Sequence, residues 1–413
     1  ELDVGSGTIN QTGGAIYVDA ATNNSSGSSA NKFDMAAGSL NLSGGTLYAQ
    51  SQASSSYNCI NIASGVSASI GSSHTFDIGT NSTAKNMYFN FGGHSIGNLT
   101  VNLPAKNAYL SEDLNIQGNV NIIDGTLVVD THNPSVAGST TVAGTLKIGA
   151  GSYDANGSFD ASTGTIDFNN GNGQLYVSNS TVTSFGSLDD ATGTVVYDGT
   201  SAQTIDEVET FYSLKVDNSS GVTLNEAVGV NGTLNMTSGN IVNPSNVLTV
   251  GSSAGAGSIS HTSGIVTGKL RQYFANATGS KLFPIGNSTI MRDVTVDFTS
   301  APGANQYLTA SYNAGHPQAN DGSDLYAGLP LVTSDDQVIQ NYDDEGYWEI
   351  IPGSASTGDS YTTDINGKAY NVSIRCNDLT GEDNVTHMDR SKVRVIKVQV
   401  QDIPLGKDLL MSL

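Results

Sequence analysis

Five acidic residues in two polar segments of the sequence are the candidate metal ligands. One segment reads Asn-Asp-Gly-Ser-Asp at positions 320–324, and the other reads Asp-Asp-Glu at positions 343–345. Carboxylate and amide oxygens around a glycine turn can enclose Ca²⁺. The spacing does not match an EF-hand loop, so solvated acidic loops are the simpler interpretation and a Ca²⁺ site is the alternative. The candidate ligands are Asp321, Asp324, Asp343, Asp344 and Glu345.

Catalytic chemistry finds less support in the residue types. Enzymes that cleave polysaccharides need clustered carboxylates, usually beside a cation. Residues 1–268 contain no arginine, and their aspartates mostly adjoin turns, where aspartate is a common turn former. His74 and His94 are 20 residues apart and could stack in one column, but two ligands alone seldom hold zinc. We therefore predict no enzyme activity, no catalytic residue and no cofactor-binding residue.

A three-residue signal recurs through the first two-thirds of the chain: glycine, then serine, threonine or asparagine, then an aliphatic residue. Widely spaced examples begin at Gly97, Gly118, Gly144, Gly164 and Gly186, with separations of 21, 26, 20 and 22 residues. A period near 20 is typical of a solenoid, whose repeats bury apolar side chains against their neighbours. We expect each glycine to supply a positive φ at a corner, and the next residue to stack in ladders on successive coils.

Apolar residues also alternate along this region, in short stretches such as Leu40 and Leu42. A period of two indicates strands with one buried face, and helical periodicity is nearly absent. Three such strands with tight turns take roughly 20–22 residues, which is one coil of a right-handed parallel β-helix. We predict this β-helix over residues 1–268.

Strands lengthen after Lys269, for example over residues 291–298, 306–312 and 392–400. Longer alternating strands with wide connections are typical of an antiparallel β-sandwich. The predicted fold class is therefore all-β: a right-handed parallel β-helix (solenoid) at 1–268, followed by an antiparallel β-sandwich at 269–403 and a tail at 404–413. Cys59 and Cys376 fall in different predicted domains, and the sequence leaves their disulfide state open.

The charge distribution excludes several classes of partner. The chain of 413 residues has a formal net charge of −22, and residues 1–268 contain five lysines and no arginine. So few cations cannot neutralise phosphates, which excludes nucleic acid and disfavours an anionic membrane surface. No run approaches about 18 apolar residues, so we predict no membrane span.

Several motifs near residue 270 resemble a known family. The chain reads Gly-Lys-Leu-Arg-Gln-Tyr-Phe at 268–274, Phe-Pro-Ile-Gly at 283–286, Arg-Asp-Val-Thr-Val at 292–296 and Trp-Glu-Ile at 348–350. With the glycine-rich coils before them, these motifs resemble surface proteins of the Bacteroidota that are exported by type IX secretion, including adhesin-like and gliding-associated proteins. The resemblance implies a β-helix joined to a β-sandwich, and an extracellular location at the cell surface. Such proteins usually end in an immunoglobulin-like sorting domain, and nothing after Val400 resembles one.

These observations predict a non-catalytic, extracellular structural or adhesive protein. Its β-helix would be a rigid stalk that presents binding modules to glycans or proteins at the cell surface or outside the cell. The alternative is a filament subunit joined end to end, since an uncapped first coil leaves backbone N–H and C=O groups for another chain. A polysaccharide-active β-helix enzyme is the least favoured function. Apart from the candidate Ca²⁺, no cofactor is expected.

Overall fold

The computed structural model of this chain is all-β. Every regular element among the described residues is a strand, which confirms the predicted class. The chain forms two compact units, Glu1–Asn218 and Ser219–Leu413. The described residues are 2–18, 32–50, 57–79, 85–169, 171–179, 182–303, 305–314, 331–332, 338–339, 346–356, 358–359, 370–374 and 410–411.

Most strands of the first unit are short, as expected for the sides of small coils. In chain order they are β1 (Leu2–Asp3), β2 (Thr8–Val18), β3 (Phe33–Met35), β4 (Ser39–Ala49), β5 (Ile60–Ile62), β6 (Ser67–Ile70), β7 (His74–Ile78), β8 (Met87–Asn90), β9 (Asn98–Leu110), β10 (Asn115–Ile116), β11 (Val120–Val128), β12 (Ser135–Val136), β13 (Thr140–Val142), β14 (Thr145–Lys147), β15 (Ser152–Ala155), β16 (Phe159–Asp160), β17 (Thr165–Asp167), β18 (Gln174–Val177), β19 (Ser187–Leu188), β20 (Thr194–Tyr197), β21 (Gln203–Ile205), β22 (Glu209–Phe211) and β23 (Ser213–Asp217).

The strands of this unit pair in parallel and stack in three columns. In the first column β11, β14, β17 and β19 follow one another. In the second column β4, β7, β9, β11, β13 and β16 do the same. In the third column the order is β10, β12, β15, β18, β20 and β23. One strand from each column, such as β14, β15 and β16, makes one coil, so the predicted parallel β-solenoid is confirmed, while its right hand stays a prediction.

Apolar side chains of successive coils stack inside the solenoid. Leu127 lies beside Leu146, and Leu146 lies beside Ile166, each at most 1% exposed. Full burial of one such side chain contributes about 1.5–3 kcal/mol. Elsewhere in the core the Phe185 ring lies 5.8 Å from that of Phe159 and 5.7 Å from that of Phe211. Each coil therefore hides its apolar face against its neighbours, as the repeat predicts.

Some strands continue through a corner of the coil. The first part of β9 pairs with β7 in the second column, and its last part pairs with β8 in the first column. Ala105, between the two parts, has a φ of 56°. The register between β9 and β11 also shifts on either side of Asp124. These corners are bulges in a continuous strand.

Two glycines of the repeat require glycine for different reasons. Gly125 has a φ of 79°, the left-handed conformation expected at a corner. Gly144 lies outside that region, but a Cβ there would lie 2.3 Å from the carbonyl oxygen of Gly125 on the adjacent coil. The expectation that every repeat glycine supplies a positive φ is therefore wrong at Gly144. Close approach of two coils requires glycine at that position.

The second unit begins with short parallel strands and continues with longer antiparallel ones. Its strands are β24 (Val222–Leu224), β25 (Val228–Val230), β26 (Thr233–Ser238), β27 (Ile241–Val250), β28 (Ser258–His261), β29 (Val266–Tyr273), β30 (Gly279–Phe283), β31 (Val294–Phe298), β32 (Gln306–Ala314), β33 (Leu331–Val332), β34 (Val338–Ile339), β35 (Gly346–Ser354), β36 (Gly358–Asp359), β37 (Tyr370–Ile374) and β38 (Leu410–Met411).

Strand β29 is the point where parallel pairing changes to antiparallel pairing. On one side it pairs in parallel with β27, as a strand of a coil. On the other side it pairs antiparallel with β32, which continues antiparallel to β35. The resulting sheet is mixed, and the predicted domain boundary at 268/269 falls inside β29. A separate antiparallel sheet contains β30, β31 and β37.

Two motifs that carry the family resemblance contact each other in this unit. The Trp348 side chain is 2% exposed, and its Nε1 donates a hydrogen bond of 2.8 Å to the carbonyl oxygen of Arg292. The Tyr312 ring lies edge-on to Trp348, with centroids 5.2 Å apart. Antiparallel strands do follow the coils, as expected, and their arrangement as a β-sandwich stays a prediction.

Replacing Gly144 with alanine should destabilise the first unit by about 2 kcal/mol or more, because the methyl group would overlap a backbone carbonyl. Thermal unfolding followed by circular dichroism measures the loss as a lower midpoint. Gly13→Ala is the matched control, since a Cβ there meets nothing within 4 Å. Equal midpoints for the two variants would show that close approach is not the constraint.

Candidate functional site

The predicted metal ligands lie outside the described residues. Asp321, Asp324, Asp343, Asp344 and Glu345 all fall in stretches that the structure leaves undescribed, so Ca²⁺ binding stays a prediction. Within the described stretches, no group of three or more histidine, cysteine or acidic side chains is arranged to hold a metal ion.

His74 and His94 do not form a stacked surface pair. His74 is buried, and it pairs with Gly45 on the preceding coil. Its Nδ1 lies 3.3 Å from the Gly44 carbonyl oxygen, whereas Nε2 of His94 lies 3.2 Å from the Ala63 carbonyl oxygen. Burial lowers the pKa of His74, which favours the neutral ring. Both histidines contact backbone carbonyls of a neighbouring coil, so their role here is structural.

Cys59 is a free, buried thiol whose pKa is raised by burial. A neutral thiol in the core is a poor nucleophile. Cys376 lies outside the described residues, so a disulfide between the two is untested.

The second column presents two outward rows of side chains, and they differ in their contacts. We call Asn98, Asn119 and Ser139 the bonded row. The Asn98 amide donates to the carbonyl oxygens of Ser72 at 3.0 Å and His74 at 3.2 Å. Its Oδ1 accepts from the Asn119 backbone N–H at 2.8 Å, and Asn119 Oδ1 accepts from Ser139 N at 2.8 Å. This row connects successive coils, as predicted for side-chain ladders.

The neighbouring row lies two residues further along each strand, and we call it the open row. Strand register places its members side by side on six successive coils. Within the described part of the chain, none of these side chains makes a hydrogen bond to another residue. The open row consists of Tyr17, Tyr48, Asp77, Thr100, Asn121 and Thr141.

Stacked tyrosines begin the open row. The rings of Tyr17 and Tyr48 are nearly parallel, with an angle of 7° between planes and centroids 4.7 Å apart. Tyr17 is 59% exposed, which is unusual for a large aromatic side chain. On the first column, Tyr88 and Tyr109 stack in the same way at 4.7 Å. The sequence shows each tyrosine but gives no signal that the two members of a pair, 31 or 21 positions apart, lie in contact.

Asp77 continues the open row beyond Tyr48. Its carboxylate is half-buried, and burial raises its pKa to about 6. Ionised carboxylates in proteins are normally stabilised by hydrogen-bond donors or cations, and no donor compensates for lost water here among the described residues. Asp77 is therefore an acceptor with unused hydrogen-bonding capacity.

A second group of acidic residues lies near the end of the first unit. Burial raises the pKa of Glu209 to about 7, and the nearby Glu207 and Asp190 carboxylates raise it further. Tyr197 is fully buried, and burial followed by repulsion from Glu209 holds its pKa well above the usual value. Glu207 accepts hydrogen bonds from Ser184 Oγ and Phe185 N, both at 3.0 Å. Sequence reasoning missed this group, because nothing in its residue spacing indicates burial.

Comparisons with known proteins identify no relative. No protein-family model, no curated protein and no solved structure matches the chain. Among the described residues, no helix is long and apolar enough to cross a membrane.

Glu209→Gln should stabilise the protein at pH 8 and have little effect near pH 4. The folded pKa of about 7 exceeds the ordinary 4.5, so the stability from the protonated carboxyl is present below pH 4.5 and lost as pH rises through 7. Glutamine keeps the shape without the charge. Thermal midpoints from pH 4 to 8 measure the difference, which should reach a few degrees.

The exposed Glu226 supplies the control, because Glu226→Gln also removes one carboxylate from an acidic chain. A gain at pH 8 for Glu209→Gln that is no larger than that of the control would contradict the burial of Glu209.

Proposed function

We propose that this chain is a non-catalytic extracellular protein of structural and adhesive function. Its coils act as a stiff stalk that holds binding modules, including the predicted β-sandwich, away from the cell. Export by type IX secretion to the cell surface is part of the same proposal, and it is supported by the family resemblance of the motifs near residue 270.

The observation that carries the proposal is the register between coils. Three columns of parallel strands connect each coil to the next by backbone hydrogen bonds. Side chains add a second set of bonds, as from Ser135 Oγ to Asp154 at 2.9 Å. To bend such a stack, bonds in at least one column must lengthen while those in another are compressed. Stiffness follows from this geometry, and it suits a stalk.

The charge of the chain supports the proposed location. A net charge of −22 with 16 basic residues favours solubility and disfavours binding to nucleic acid. Outward rows that consist mainly of short hydroxyl and amide side chains also give few sites for unspecific association.

Single-molecule stretching of the whole chain, held at both ends, tests the stalk. Each coil contains about 20 residues, so its release should lengthen the chain by roughly 70 Å, given about 3.5 Å per extended residue. We expect a series of force peaks with this spacing. Gly144→Ala is the matched variant, and it should lower the force of one early event.

Smooth extension without force peaks would contradict a mechanical role. Location is a separate readout, for which antibodies against the chain are applied to intact cells that produce it. Labelling only after the cells are broken would contradict the surface location, whatever the force curves show.

A second function, assembly into filaments, is favoured by the exposure of the first described coil. Leu2 is 37% exposed, whereas its strand partner Phe33 is fully buried. Ile9 is half-buried, whereas its partner Leu40 is fully buried. A coil of a second copy placed against β1 and β2 would bury these apolar side chains and pair with an edge strand.

If the chain assembles in this way, its mass by light scattering should rise with concentration and micrographs should show fibres. Leu2→Lys combined with Ile9→Lys should abolish both, because two charges would enter the contact. Ile123→Lys is the control at another exposed apolar residue, 46% exposed. A wild-type chain that stays monomeric at all concentrations would exclude filaments.

A further inference from the structure

The open row is a continuous strip of one chemical character. Its six side chains lie on successive coils of the second column, from Tyr17 at one end to Thr141 at the other. Adjacent parallel strands are about 4.8 Å apart, so the strip is about 24 Å long. It contains two aromatic rings, one carboxylate, one amide and two hydroxyl groups, and no basic side chain.

Coil stacking explains the bonded row but does not explain the open row. Asn98, Asn119 and Ser139 bond to neighbouring coils and so contribute to stability. Asn121 and Thr141, two residues further along their strands, are exposed and make no such bonds among the described residues. Their hydrogen-bonding groups face solvent in register, and they are available to a ligand that runs along the column.

The residue types select among ligands. Exposed tyrosine rings offer an apolar body with a polar tip, which suits the C–H groups and hydroxyls of a sugar. Amide and hydroxyl side chains can both donate and accept hydrogen bonds, as sugar hydroxyls can. A polyanion would meet a row with one carboxylate, no cation, and a chain of net charge −22.

We propose that the open row binds an uncharged polysaccharide chain lying along the second column. Tyr17 and Tyr48 contact sugar rings at one end, and Thr100, Asn121 and Thr141 hydrogen-bond to hydroxyl groups along the rest. The proposal rests on the adhesive part of the proposed function and gives it a ligand class.

Asp77 supports this assignment at the centre of the strip. Its half-buried carboxylate has a raised pKa and receives no hydrogen bond from the described residues. Sugar hydroxyls would supply the missing donors. A carboxylate next to aromatic rings is thus satisfied by the ligand rather than by the protein.

Binding of the full chain to an oligosaccharide array tests the proposal. The array carries neutral chains of six or more glucose, mannose, galactose, xylose or N-acetylglucosamine residues, together with polygalacturonate and alginate as polyanions. We expect binding to at least one neutral chain and none to the polyanions. Asn121→Ala and Tyr17→Ala should each weaken that binding at least tenfold, as measured by biolayer interferometry.

Two substitutions outside the strip serve as matched controls. Thr145→Ala removes an outward hydroxyl from the first column, and Tyr212→Ala removes a tyrosine that is 39% exposed. Both should bind as the wild type does, and circular dichroism confirms that every variant folds. No binding to any neutral chain, equal binding to the polyanions, or unchanged binding by the Asn121 and Tyr17 variants would overturn the proposal. The force peaks would persist in each case, so the stalk and the glycan strip can fail separately.

Discussion

Backbone hydrogen bonding between coils imposes one distance, about 4.8 Å, on every side chain of the solenoid. At that distance a residue must be compatible with a residue at the same place on the next coil. Leucine meets leucine inside, as at Leu127 and Leu146, and tyrosine meets tyrosine outside, as at Tyr17 and Tyr48. Like charges directly opposite each other are destabilising, which accounts for outward rows built mostly from threonine, serine and asparagine.

The same closeness changes the character of the acidic residues. A carboxylate in an outward row loses water to the coils on both sides, so burial is the largest cause of the raised pKa at Asp77, Asp198 and Glu209. Part of the acidity of the sequence is therefore held in a desolvated environment where protons bind more tightly. Composition alone gives the number of charges but not this difference between them.

The solenoid could be predicted from the sequence because its signal is local. A Gly-Thr-Leu triplet such as the one at Gly144 repeats at a nearly constant interval, and alternation within each strand shows which side faces inward. The contacts of the candidate site could not be predicted, because they depend on register between coils of unequal length. The partner of Tyr48 is Tyr17 on one side and Asp77 on the other, at separations that no single period gives. Likewise, the reason for glycine at Gly144 is a carbonyl oxygen on another coil.

The antiparallel strand β32 closes the edge of β29 that a further parallel strand would otherwise occupy. Such a closure makes the number of coils a property that evolution can vary by duplication. A whole coil inserted before β29 keeps every inward residue inside and leaves the β29–β32 pair unaltered. An insertion of any other length turns leucines outward and is removed by selection. The solenoid is in this sense a ruler whose divisions are coils, and whose length can change without any change to the structure that terminates it.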